Sequence, residues 1–120
     1  MADQGEGQCK RAYDRRKMMV PVDIGEMDDA GELTAVTPGK LVDMSQGGIG
    51  IMTTKLLYVD SKIVIRMKSK TGYITYGAIV RSSRYDTKHG HFSGCAWLAK
   101  TERIPTANKI EQYIQRHRAA

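Results

Sequence analysis

The stretch KIVIRMKSKTGYITYGAIVR, residues 62–81, decides the fold. Ile63, Ile65 and Met67 alternate with Lys62, Arg66 and Lys68, a period of two rather than 3.6. Beyond a short linker, Ile74, Tyr76, Ala78 and Val80 alternate with Tyr73, Thr75, Gly77 and Arg81. Successive strand side chains point to opposite faces, so each run carries an apolar face and a polar one. Antiparallel strands with one buried face read this way.

The same reading extends outward to strands near 18–24, 33–43, 49–54, 62–69, 73–85 and 91–99, joined by linkers containing Gly, Asp or Lys. Short strands at such spacing predict an all-β barrel or sandwich, and closure into a barrel removes the exposed edges of an open sheet. Pro21 cannot donate to a ladder and confines its strand to an edge or a strand start. GEMDDAGE, residues 25–32, reads as an exposed connection, and its acids do not have the spacing of a calcium loop. The pattern changes at the end of the chain, where Ile104, Ala107, Ile110 and Ile114 recur at three and four. An amphipathic helix over about 103–118 is predicted, with Pro105 in its first turn and Arg116, His117 and Arg118 at the negative end of its dipole. Its apolar stripe needs a surface, either one end of its own barrel or another protein.

The chain has 120 residues, one domain's worth, with a poorly ordered tail expected over 1–9 and a domain over 10–120. With 41% apolar and 27% charged residues it is globular in composition. No apolar run approaches the roughly 18 residues of a membrane helix, and the N-terminus does not resemble a secretory signal, so a cytoplasmic location is expected. Cys9 and Cys95 belong to no CxxC pair, which argues against a disulfide framework or a cysteine zinc site. His89 and His91 are better read as turn imidazoles than as metal ligands, and no metal is expected. Trp97 is read as a core or pocket-wall aromatic and the methionines as core fill. The net charge of +6 is uneven: residues 1–32 hold five bases and eight acids, and the remainder 14 bases and five acids. A positive field over most of the chain favours an anionic partner. Neither a GxSxG elbow around Ser45 nor a Walker-type GxxxxGK is present, so hydrolytic chemistry is disfavoured and no enzyme is expected.

Two places depart from a plain barrel. Arg11-Ala-Tyr-Asp-Arg15, followed by Arg16, puts two arginines four apart on the lead-in to the first strand. Asp43-Met-Ser45-Gln-Gly-Gly48 closes one strand and opens the next, with Asp43 and Ser45 two apart and hence on one face. The set predicts a pocket floor of carboxylate and hydroxyl facing a mobile arm of guanidinium groups. A guanidinium donates two parallel hydrogen bonds to guanine O6 and N7, clamps a phosphate, or stacks on a purine. A carboxylate only accepts, which suits the N1–H and N2–H donors on guanine's other edge. An anionic guanine nucleotide satisfies both halves. Asp43 and Ser45 also suit local turn chemistry, bonding nearby backbone.

RxxxR followed after 27 residues by DxSxxG resembles the signature of PilZ domains, bacterial receptor modules for cyclic di-GMP. The flanks VDMSQGGIGI, GAIVR and FSGCAW resemble that family as well, so the likeness covers about residues 10–115. It implies a six-stranded antiparallel β-barrel with a C-terminal α-helix. It also implies that Arg11 and Arg15 bind guanine bases and phosphates, that Asp43 and Ser45 hydrogen-bond a guanine, and that Gly48 allows close approach. Arg16 lies outside the strict motif and is positioned to add a phosphate or stacking contact. The implied function is that of a non-enzymatic receptor with no cofactor, whose arm orders on binding cyclic di-GMP and presents a new surface to an effector protein. Two alternatives stay open: a small basic barrel that binds single-stranded nucleic acid, and a PilZ-like interaction module without a ligand. Nucleic acid is disfavoured because the tyrosines alternate with apolar positions rather than forming a stacking platform.

Overall fold

A computed structural model describes residues 16–88, 90–100 and 102–118, with side chains described from Met18 to Arg116 and His117 apart from the gaps. The expected tail, Arg11, Arg15 and His89 lie outside the described residues. Six strands, β1 (Arg16–Met27), β2 (Leu33–Met44), β3 (Gly48–Thr53), β4 (Lys62–Ser69), β5 (Gly72–Asp86) and β6 (Gly90–Trp97), precede one helix, α1 (Ala107–Arg118). They close into a barrel in the order β1-β2-β3-β6-β5-β4 with every neighbour antiparallel. Strand ends fall within three residues of the spans read from the sequence.

The barrel interior is aliphatic: Val22, Ile24, Leu41, Ile49, Ile51, Ile63, Ile65, Ala78, Val80 and Cys95 pack together, with Leu57 from the β3–β4 connection. Each fully buried large aliphatic side chain contributes on the order of 1.5–3 kcal/mol. Pro21 is paired with Lys40 on β2 but lies before the β1–β4 ladder, which begins at Asp23, so its missing N–H removes no bond from that second ladder. Gly25 belongs to β1 rather than to the connection that follows it. That turn is confined to 28–32, where the Asp28 carboxylate accepts from the Ala30 and Glu32 amides.

Three side-chain placements differ from simple alternation. Ile74 and Tyr76 are exposed, because the first half of β5 runs with β4 past the core. Met19 points to solvent rather than filling the core. Arg66, read as an exposed residue, is only 6% exposed. Its guanidinium donates to Asp23 Oδ2 at 2.7 and 3.0 Å and to Glu111 Oε1 at 2.8 Å, and it covers the Tyr73 ring at 4.3 Å. Burial works against its charge, but the bonds to Glu111 and Asp23 prevail and raise its pKa above the usual arginine value.

Those bonds also dock α1. Ile110 is fully buried and the Tyr113 hydroxyl donates to the Thr34 carbonyl at 2.9 Å, so the apolar stripe sits on the helix's own barrel. The helix begins at Ala107 rather than 103. Thr106 is the cap, its Oγ1 accepting the Lys109 amide at 3.2 Å, and Pro105 precedes the cap instead of occupying the first turn. Among the described residues no helix is long and apolar enough to cross a membrane.

Candidate functional site

The site is assembled where β2 ends. Along β2 the pairing shifts between Leu41 and Asp43: Leu41 faces Ile51, but Asp43 faces Gly50, so Val42 is an extra residue in the ladder. A bulge of this kind re-aims the side chains beyond it. Leu41 is buried in the barrel, while Asp43 is turned to the outer face instead of sharing Leu41's direction. Both Asp43 oxygens lie 3.0 Å from where a Gly50 Cβ would stand, and the Phe92 Cζ lies 2.9 Å from it. The carboxylate and the ring edge thus occupy the outer face of Gly50. Asp43 is 5% exposed, a more enclosed carboxylate than an open pocket floor. Over the Phe92 ring lies the Arg84 guanidinium, 4.6 Å from the centroid.

Ser45 follows the end of β2 and holds the turn into β3. Its amide donates to the Gly48 carbonyl at 2.9 Å, and its Oγ accepts the Gly47 amide at 3.2 Å. Its own carbonyl accepts the Trp97 indole N–H at 3.0 Å. The hydroxyl therefore does the turn work that its sequence position allows. Trp97 ties this turn to the far end of β6, where it tilts against Tyr76 at 5.5 Å and walls an apolar cavity of about 460 Å³ with Gly77, Leu98 and Ile104. Gly48 is required for a reason beyond ligand access: a Cβ there would collide with the Cys95 carbonyl of β6. Asp43, Ser45 and Gly48 are brought together on one strand–turn–strand unit.

The arm half of the expected site is described only where it joins the barrel. The backbone of Arg16 pairs with Met44 and that of Lys17 with Asp43. The chain that carries Arg11 and Arg15 therefore enters β1 directly beside Asp43 and Ser45.

An open cleft of about 350 Å³ continues from Ser45, Gly48 and Ile49 across β6 at Gly94 and Ala96 to Arg81 and Ser82 of β5. Sequence reading did not place Arg81 here. The available signal was Arg81-Ser82-Ser83-Arg84, where alternation stops, and the structure has a register shift between Val80 and Ser82 at that point. Cys95 lies beneath the cleft, and burial pushes its thiol pKa up to about 12, so it is an inert core residue. His91 packs against Tyr85 at 5.1 Å, and among the described residues no group of three or more His, Cys, Asp or Glu is arranged to hold a metal ion.

The PilZ domain family model matches residues 10–116. In structure the chain is similar to the Bacillus subtilis inhibitor of motility MotI/DgrA, at 16% identity and a TM-score of 0.57, with 91% of this chain and 51% of that one covered. It is similar as well to the PilZ domain of CeSA from a cellulose-synthesizing bacterium, at 17% identity and a TM-score of 0.51, covering 85% and 92%. A third likeness is to the PilZ domain of Escherichia coli YcgR, solved with c-di-GMP, at 13% identity and a TM-score of 0.51, covering 92% and 99%. The chain thus spans about half the length of the motility inhibitor and nearly all of the two isolated domains. At these identities the likeness is one of fold. No curated protein matches by sequence.

Proposed function

This chain belongs to the PilZ domain family, and from that premise we propose that it is a non-enzymatic, cytoplasmic receptor for cyclic di-GMP. Arg11 and Arg15 grip guanine and phosphate, with Arg16 adding a phosphate or stacking contact. Asp43 and Ser45 take the donor edge of a guanine, and Gly48 keeps the turn between them close to β6.

The observation that carries this reading is the register of β1 on β2, with Arg16 opposite Met44 and Lys17 opposite Asp43. Covalent geometry keeps consecutive Cα atoms about 3.8 Å apart and limits an extended chain to roughly 3.5 Å per residue. Arg15 is thus tethered at the Ser45 turn, and Arg11 is held within roughly 18 Å of Arg16. The E. coli YcgR domain of the same fold was solved with this ligand, which supports the same ligand here. Binding pulls the arm over the nucleotide, and the ordered arm is the surface an effector reads, so the ligand acts through its preference for the closed form.

Isothermal titration with cyclic di-GMP, beside GTP and cyclic di-AMP, tests the assignment. Wild type binds cyclic di-GMP selectively. Each lost charge-assisted hydrogen bond costs about 1.5–3 kcal/mol, so Arg15→Ala weakens binding by roughly ten- to 150-fold. Unchanged affinity in that variant rejects the arm's role. A salt-sensitive association with random oligonucleotides, indifferent to cyclic di-GMP, points instead to a nucleic-acid barrel.

A further inference from the structure

The cleft beside the Ser45 turn extends beyond the residues of either motif, and its far wall is Arg81. We infer that Arg81 is a further ligand-binding residue, which grips the dinucleotide from the β5 side of the cleft. This inference rests on the receptor reading above and deepens it.

Placement comes first. In the barrel order, β3 and β6 separate β2, which the arm joins, from β5. The cleft crosses those two strands from Ser45 to Arg81, so a ligand lying in it reaches from the DxSxxG turn at one end to Arg81 at the other. Val80 is fully buried, and alternation sends its neighbour Arg81 outward; the bulge between Val80 and Ser82 keeps Ser82 outside as well, where a regular ladder would have returned it to the barrel.

The floor suits a flat ring. Gly48 pairs with Ala96, and Gly47 and Gly94 line the cleft beside them, so the floor between the two ends has little side-chain relief. At Gly94 a Cβ would stand 2.7 Å from the Ser82 hydroxyl. A purine can lie on such a surface where branched side chains would hold it off.

Charge selects the partner. Among the described residues lining the cleft, Arg81 is the one with a charged side chain. Its fixed planar fork recognises paired acceptors, which are guanine O6 and N7 or two phosphate oxygens. The group is available for that task. Its contact with Asp60 is 3.5 Å long, with the side chains 60% and 75% exposed, and exposed pairs of this kind hold weakly. A cyclic dinucleotide has two guanines and two phosphates, more than the arm and Asp43 can satisfy at one end.

The test compares wild type, Arg81→Ala, Arg81→Lys and Lys68→Ala by titration with cyclic di-GMP, with thermal melts to confirm folding. Lys68 is exposed on β4, away from the cleft, and its removal deletes the same charge. Arg81→Ala is expected to weaken binding by at least about tenfold, from the loss of one or more charge-assisted hydrogen bonds. Arg81→Lys recovers only part of this, because an ammonium lacks the fork, and Lys68→Ala stays near wild type. If wild type binds while Arg81→Ala matches it within about twofold, Arg81 has no contact with the ligand. Equal losses in Arg81→Ala and Lys68→Ala mean that only the long-range field matters, which also overturns the inference. Failure of wild type to bind rejects the receptor reading itself, a distinguishable result.

Discussion

Gly48→Ala separates two reasons for the motif glycine. One is room for the ligand; the other is contact between strands. A Cβ at this position would collide with the Cys95 carbonyl, and the Cys95 carbonyl carbon and Ala96 Cα would stand 2.9 and 3.1 Å from it. All three are backbone atoms of β6, which cannot rotate away as a side-chain tip can. β3 and β6 must therefore separate locally, in a ladder where Gly48 pairs with Ala96 and Ile49 with Cys95. Overpacking that forces backbone shifts costs about 1–3 kcal/mol. For a domain of this length the unfolding entropy is about 0.25 kcal/mol/K, so the melting temperature should fall by roughly 4–12 °C. Thermal melts by circular dichroism, with no nucleotide present, measure this. Gly50→Ala is the comparison, since its Cβ meets the movable ends of Phe92 and Asp43 and should cost less. A ligand-free melting temperature within about 1 °C of wild type, with cyclic di-GMP binding abolished, would falsify the packing argument and leave ligand access as the glycine's one role.

Arg66→Met removes the group that joins β1, β4 and α1 through Asp23 and Glu111. The two carboxylates left behind keep 28% and 43% side-chain exposure, so water offsets part of the loss, and about 1–3 kcal/mol is expected in a denaturant melt. A shift in midpoint too small to measure would mean the helix is held by Ile110 and the Tyr113 bond, with no contribution from Arg66. In a Cys9→Ser background, Cys95 should resist thiol reagents at pH 8 until the protein is unfolded, and fast labelling of the native state would contradict its burial. Its pKa sits at about 12 against an ordinary 9.0, so between those values the unfolded chain releases a proton that the native state retains. Stability therefore falls as pH rises through that window, at about 1.4 kcal/mol per unit of difference. Cys95→Ala should lose that part of the alkaline slope.

Period-two alternation was enough to locate all six strands, because each has to hide one face and show the other. It failed where a second layer covers the outer face. Arg66 alternates as a solvent-facing residue should, yet Asp23 lies 43 positions before it and Glu111 45 positions after it. No local pattern carries a contact that distant. Pro105 shows a milder form of the same limit. Both Pro105 and Thr106 are compatible with a helix start, and the hydroxyl bond to Lys109 decides between them. In the DxSxxG half of the site, turn chemistry at Ser45 was legible as one of two roles, but the packing role of Gly48 was not. Ser45 and Gly48 build the turn and the β3–β6 contact through bonds and close approaches that the letters do not display.

The departures from alternation are themselves the link between fold and function. Four register shifts interrupt the ladders, and three of them, at Lys17/Val20, Leu41/Asp43 and Val80/Ser82, border the cleft or the arm's point of entry. A strictly regular barrel would direct Asp43 inward with Leu41, burying a carboxylate among Ile24, Ile49 and Ile51, which is prohibitive without a partner. On β5 it would return Ser82 to the interior, whereas Arg81, next to buried Val80, faces out in either case. The shift on β2 turns a carboxylate outward, and alternation past buried Val80 turns the Arg81 guanidinium outward across the same small-residue floor, with the β5 shift adding Ser82 beside it. Their signs match the two halves of a guanine nucleotide, donor edge and acceptor edge.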